Sequence, residues 1–198
     1  MSRRAILAGL AAGVAACLAV APRAARADEA AAWAALRDSR AIALMRHADA
    51  PGYADPPGFR VGDCGTQRNL SPRGREDAKA AGERLRRERI PVGRLLSSPW
   101  CRCVDTATLL DIGPVTQEPT FGNVVVLADQ RERLTAGARR VLDAWQGPGN
   151  LFVVTHGANI QALLGTGNPA SGETVVVRRR ADGVLEEVGR IPVPAAPR

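Results

Sequence analysis

The chain contains two histidines, His47 and His156, and each closes an apolar run. His47 follows Ala41-Ile42-Ala43-Leu44-Met45-Arg46, and His156 follows Leu151-Phe152-Val153-Val154-Thr155. Continuous apolar runs of this length read as strands covered on both faces. Each histidine is therefore delivered by a strand to a loop. Other polar groups stand at comparable places. Arg46 precedes His47, Arg102 falls in the first turn of a helix that follows Ser97-Ser98-Pro99, and Glu118 follows Val115-Thr116-Gln117. Two guanidinium forks near a helix start suit a tetrahedral oxyanion. A histidine beside them can attack phosphorus and form a covalent intermediate. A carboxyl group can protonate the leaving oxygen and then activate water. An Arg-His pair alone, or Arg102 alone, is most often a surface or capping feature. Their joint appearance with His156 carries the assignment.

The elements that must position these residues alternate along the chain. Residues 28–38 read as a short Ala-rich helix, and 40–45 as the first strand. Residues 48–70 hold Pro51, Gly52, Pro56, Pro57, Gly58, Gly62 and Gly65, which argues against regular structure. A loop this long in a compact domain is usually functional or a covering segment. Ser71-Pro72 opens a helix, with serine as its cap and proline at the first helical position. Strands are expected at 94–98, 115–117 and 151–155, helices at 99–110, 131–145 and 158–164, and a hairpin at 174–179 and 185–191. The pattern predicts an α/β fold, a three-layer α/β/α sandwich with a mostly parallel central sheet. In such folds ligands sit at the carboxyl ends of strands.

The first 27 residues read as an export signal rather than as fold. Arg3 and Arg4 precede an uncharged apolar stretch, and Ala25-Arg26-Ala27 fits a cleavage site before Asp28. Ser2-Arg3-Arg4-Ala5-Ile6-Leu7 suits a twin-arginine signal as well as an ordinary Sec signal. The apolar run continues past Cys17, so a lipoprotein anchor there is not expected. A mature chain of 28–198 would be one domain, periplasmic or secreted, with no stable membrane insertion. Cleavage would remove four arginines and no acids. Of 27 basic residues 23 would remain against 20 acidic ones, a net charge of +3 instead of +7. A nucleic-acid partner suggested by the high pI loses its basis.

Three cysteines follow the signal: Cys64, Cys101 and Cys103. Export permits one bridge and leaves one thiol over. Cys64 is remote from the other two, so a Cys64–Cys101 or a Cys64–Cys103 bridge would staple one loop to another. Cys-x-Cys with no nearby histidine lacks zinc-ligand spacing, and no metal or other cofactor is expected.

Four segments in order resemble the histidine phosphatase (phosphoglycerate mutase-like) superfamily: Leu44-Met45-Arg46-His47-Ala48, Asn69-Leu70-Ser71-x-x-Gly74, Ser97-Ser98-Pro99-x-x-Arg102 with Thr106-Ala107 after it, and Val154-Thr155-His156-Gly157. Together they span most of 40–165. The signal and the run Gln67-Arg68-Asn69 look more like its small periplasmic members, one of which acts on phosphate of a lipopolysaccharide core. The resemblance implies a phosphoglycerate mutase-like fold and roles for matching residues. His47 would be the nucleophile, with its other ring nitrogen held by a backbone carbonyl. Arg46 and Arg102 would clamp the phosphoryl oxygens, and His156 would hold another. Glu118-Pro119-Thr120-Phe121-Gly122 resembles the Glu-x-x-aromatic-Gly segment that carries the acid in the mutase branch. Asp49 and Glu173 are the other acids to test. The expected activity is hydrolysis of a small-molecule or glycolipid phosphomonoester through phosphohistidine. A phospho-ligand binder or sensor, or a phosphotransferase or mutase, would use the same pocket.

Overall fold

A computed structural model describes residues 21–194. The Arg3-Arg4 region, Cys17 and most of the expected export signal lie outside the described residues. One six-stranded sheet runs in the order β3-β2-β4-β1-β5-β6, formed by β1 Ile42–Arg46, β2 Val92–Ser97, β3 Val115–Gln117, β4 Asn150–Thr155, β5 Thr174–Arg179 and β6 Leu185–Ile191. The first four strands in that order are mutually parallel, and β5 and β6 add an antiparallel hairpin beside β1. The helices are α1 Ala21–Arg37, α2 Pro72–Arg87, α3 Cys101–Leu110, α4 Arg131–Asp143 and α5 Gly157–Leu164. This is the expected α/β sandwich. The first helix reaches back to Ala21 instead of starting at 28, because the alanines on both sides of that point favour helix equally. Among the described residues no helix is long and apolar enough to cross a membrane.

Successive residues of β1 point to opposite sides of the sheet. Ala43 and Met45 join Leu95, Phe152 and Val154 against Trp33, Leu36, Leu85 and Leu110 of α1, α2 and α3. Ile42 and Leu44 join Leu96, Leu151 and Val153 against Ala138, Leu142, Ile160 and Leu163 of α4 and α5. Both faces are covered, which explains why β1 and β4 read as unbroken apolar runs. At the amino-terminal end of the sheet, buried Asn150 ties three segments together. Its Oδ1 accepts from the Ala41 amide at 3.0 Å, and its Nδ2 donates to the Leu36 and Pro91 carbonyls at 2.7 and 2.8 Å.

The opposite end carries the polar residues. Strands β1 and β4 are adjacent, parallel and in register, with Arg46 opposite Thr155. The His47 amide donates to the Thr155 carbonyl at 2.9 Å, and the Ser98 amide to that of Val154 at 2.9 Å. These bonds carry the pairing one residue past the strands and fix where both histidines leave the sheet.

Candidate active site

The segment after β1 is held on two sides. The Ala48 amide donates to Thr106 Oγ1 at 3.1 Å, and that hydroxyl donates to the Arg102 carbonyl at 2.6 Å. Ser71 caps α2 by accepting from the Gly74 amide at 2.9 Å, and its hydroxyl donates to Asp49 Oδ2 at 2.6 Å. A Cβ on Gly74 would lie 2.1 Å from the Asp49 carbonyl oxygen. The glycine of Asn-Leu-Ser-x-x-Gly is thus required for α2 to press against the chain that leaves His47. At Gly157 a Cβ would instead meet the Asn168 side chain, with Oδ1 at 1.8 Å.

His47 is almost fully buried, and its Nδ1 donates to the Ala48 carbonyl at 2.8 Å. A carbonyl can only accept, so the proton resides on Nδ1 and Nε2 keeps its lone pair. Burial pushes the His47 pKa down to about 3. The Ala48 carbonyl opposes that shift, and the charges of Arg102, Arg68 and Arg46 reinforce it. The ring is therefore neutral throughout the physiological range. His156 shares a 3.0 Å hydrogen bond with Ser98 through Nε2, and burial together with the neighbouring His47 and arginines also keeps it neutral. The two imidazoles meet edge to face with centroids 5.5 Å apart, and Trp100 also packs edge to face on His156 at the same spacing.

Three guanidinium groups surround His47, one more than expected. Each is tethered at its outer end. Arg46 NH1 donates to the Pro169 carbonyl at 2.8 Å, Arg68 NH1 donates to the carbonyls of Ala50 and Gly52, and Arg102 lies on Asp55. In all three, the inner Nε–H is buried and makes no hydrogen bond to protein. Buried donors are ordinarily satisfied. Three such donors around an unprotonated imidazole nitrogen suit a tetrahedral oxyanion, whose oxygens accept from several directions. Burial lowers the pKa of Arg46 and Arg68 from the ordinary value, and guanidinium nevertheless stays charged at neutral pH.

The long loop closes over this group through three ties to the start of α3. Cys64 and Cys101 form a disulfide, which decides between the two expected pairings, and Cys103 is free and buried. Gln67 Oε1 accepts from the Cys101 amide at 3.0 Å. Asp55 accepts from Trp100 and Arg102. The start of α3 therefore contributes its arginine to the pocket, while its Cys101 amide is already bonded to Gln67. Cys103 Sγ lies 3.7 Å from His156 Nε2, and burial pushes its pKa up to about 12, so it is a thiol packed behind the histidine.

The carboxylates separate by position. Glu118 lies just past β3, at the same edge of the sheet, and its amide donates to the Ser97 carbonyl at 2.8 Å. Its Oε1 caps a 3₁₀ turn, Pro119–Phe121, by accepting from the amide and hydroxyl of Thr120. Asp49 is bonded to Ser71 and exerts its charge on Arg46 and Arg68. Glu173 turns toward Ala170 and Arg190, while its carbonyl accepts from the Arg46 amide. Arg68 and Asp55 are members of the pocket that the sequence pattern does not reveal. Both lie in the loop of 48–70, where no periodicity marks them.

Residues 42–124 match the model of the histidine phosphatase superfamily, branch 1. The histidine phosphatase match holds His47, the three arginines and Glu118. The fold resembles that of the protein histidine phosphatase SixA in complex with tungstate, at TM-score 0.53 and 17% identity over 76% of this chain and 96% of that one. It also resembles a mycobacterial glucosyl-3-phosphoglycerate phosphatase, at 0.56 and 16% over 75% and 97%. A phosphoserine phosphatase from Entamoeba histolytica matches at 0.53 and 12% over 76% and 95%. No curated protein sequence matches the chain significantly.

Proposed function

We propose that the protein is an exported phosphatase that hydrolyses phosphomonoesters through a phosphohistidine at His47. The observation that carries this is the His47 ring, with Nδ1 pinned by the Ala48 carbonyl and Nε2 unprotonated amid Arg46, Arg68 and Arg102. Nε2 attacks phosphorus, the P–O bond to the leaving group breaks, and the leaving oxygen takes a proton from a carboxylic acid. Water then attacks the phosphohistidine, giving up a proton to that carboxylate, and inorganic phosphate leaves as Nε2 is freed. The guanidinium N–H groups and His156 stabilise the charge that grows on the equatorial oxygens. Glu118 is the acid we assign, because it emerges at the same sheet edge.

The structural neighbours carry names that span a protein histidine phosphatase, a sugar-linked phosphoglycerate phosphatase and a phosphoserine phosphatase. They support a phosphatase of small phosphorylated groups and leave the leaving group open, a glycolipid phosphate included. Export to the periplasm or beyond is supported by the signal-like first 27 residues and by the Cys64–Cys101 bridge, since disulfides persist in oxidising compartments.

Turnover of an aryl phosphate and of an alkyl phosphate by Glu118→Gln tests the enzyme against a binder of the same ligands. An enzyme using Glu118 loses ~10²-fold or more with the alkyl substrate, whose leaving oxygen needs a proton, and less with the aryl one. Equal rates in variant and unaltered protein would move the acid to Asp49. Absence of turnover by the unaltered protein would leave a binder.

A further inference from the structure

We propose that Asp55 is a positioning residue, which holds the Arg102 guanidinium by its outer edge so that its inner Nε–H is presented beside His47. The proposal rests on the phosphate-site assignment made above. Asp55 comes from the Pro/Gly-rich loop, and its side chain and that of Arg102 are each 1% exposed. Oδ1 accepts from Arg102 NH1 at 2.8 Å and from the Arg68 amide at 3.0 Å. Oδ2 accepts from Trp100 Nε1 at 3.1 Å and from Arg102 NH2 at 3.3 Å. Burial alone would raise this carboxyl, but the Arg102 hydrogen bond, followed by the Arg68 amide and the Arg102 charge, outweighs it and holds the carboxyl below its ordinary range.

Two roles fit a carboxylate on a phosphate-binding arginine. It can stand in for phosphate and leave when substrate arrives, or it can be a fixture behind the arginine. The bonding separates them. A substitute that leaves would surrender four hydrogen bonds at once, two of them to groups, the Trp100 indole and the Arg68 amide, that do not belong to the arginine fork. A fixture keeps all four and leaves Arg102 Nε, buried and unbonded to protein, as the donor for the ligand. The other two arginines follow the same plan, with outer nitrogens tied to carbonyls and inner Nε left over. Arg102 differs in being tied by a charge. Because the Arg68 amide shares Oδ1, one carboxylate sets the position of both residues.

The test is binding of inorganic phosphate and orthovanadate by titration calorimetry, alongside aryl phosphate turnover, for the unaltered protein, Asp55→Asn, Arg102→Ala and the double variant. A positioning role predicts at least a tenfold loss of oxyanion affinity in Asp55→Asn, restored in part by Asp55→Glu. It also predicts that Asp55→Asn costs less in the Arg102→Ala background than in the unaltered protein, the remainder acting through the Arg68 amide. Tighter oxyanion binding by Asp55→Asn would overturn the proposal in favour of a phosphate substitute. Additive losses in the double variant would overturn it in favour of a general structural role. Should Asp55→Asn fail to fold, Asp55→Glu, which keeps the charge and shifts the carboxylate by one methylene, carries the comparison in the same cycle. Unchanged binding by Asp55→Asn in an active phosphatase refutes the positioning role alone. Weakened oxyanion binding with no turnover by any form supports the positioning role and refutes the phosphatase. Absence of oxyanion binding by the unaltered protein refutes both.

Discussion

His47 and His156 leave adjacent parallel strands one residue beyond the paired positions Arg46 and Thr155, and their rings meet edge to face at 5.5 Å. Two imidazoles so close and so buried are held in the neutral form, each with a single ring proton, beside three arginines. Burial pushes the His47 pKa down to about 3 and that of His156 well below its ordinary value. In the unfolded chain both titrate near ~6.5. The unfolded state then binds more protons than the folded one at any pH between those values, so stability falls as pH falls. The loss starts near pH 6.5 and accumulates toward pH 3. Chemical denaturation at a series of pH values should show this slope. His47→Gln should flatten part of it, and an unchanged slope in that variant would place the acid sensitivity in other groups.

Arg68 is the arginine whose role rests least on sequence and most on geometry. Its outer nitrogen is bonded to the Ala50 and Gly52 carbonyls, and its inner Nε is buried without a protein partner. A charge-assisted hydrogen bond is worth roughly 1.5–3 kcal/mol. Arg68→Ala should therefore weaken orthovanadate binding about 10- to 100-fold. Arg68→Lys should not recover it, because an ammonium cannot hold two loop carbonyls and the ligand in one plane. Full recovery by lysine would mean that Arg68 contributes charge alone.

The Cys64–Cys101 bridge ties the Pro/Gly-rich loop to the turn that carries Arg102. Cross-linking residues separated by 37 positions should stabilise the fold by about 4 kcal/mol, mostly by restricting the unfolded chain. Cys64→Ser should lower the melting temperature and expose the segment around Tyr53 to protease, since Tyr53 is already fully exposed. Oxyanion affinity should fall as well, because Asp55 and Gln67 lie on the same loop. A variant with a lower melting temperature and unchanged affinity would show that the bridge supports the fold without supporting the pocket.

The parts of the site carried by regular structure were legible in the sequence. Strands β1 and β4 show as apolar runs because both their faces are covered, and a polar residue at the end of such a run has only the sheet edge to occupy. His47, His156 and Arg46 are legible in this way. Arg102 is legible because Ser-Ser-Pro marks a strand giving way to a helix. Asp55 and Arg68 are not, since a Pro/Gly-rich loop has no period from which a direction can be read. The cysteine pairing was open for a related reason. Cys101 and Cys103 are two residues apart on α3, so they face different ways, and only the path of the loop decides which one meets Cys64. Here Cys101 meets it, and Cys103 is turned inward against His156.

The central claim is that His47 Nε2 becomes phosphorylated, and a trapped phosphoenzyme tests it most directly. The protein should be mixed with an isotopically labelled phosphomonoester, quenched in alkali, and the label located by peptide mapping. An acid-labile, alkali-stable label is expected on the peptide that contains His47. No label is expected on His47→Ala, and its turnover of an aryl phosphate falls at least ~10³-fold. Full activity in His47→Ala, or turnover by the unaltered protein with the label on another residue, would contradict it.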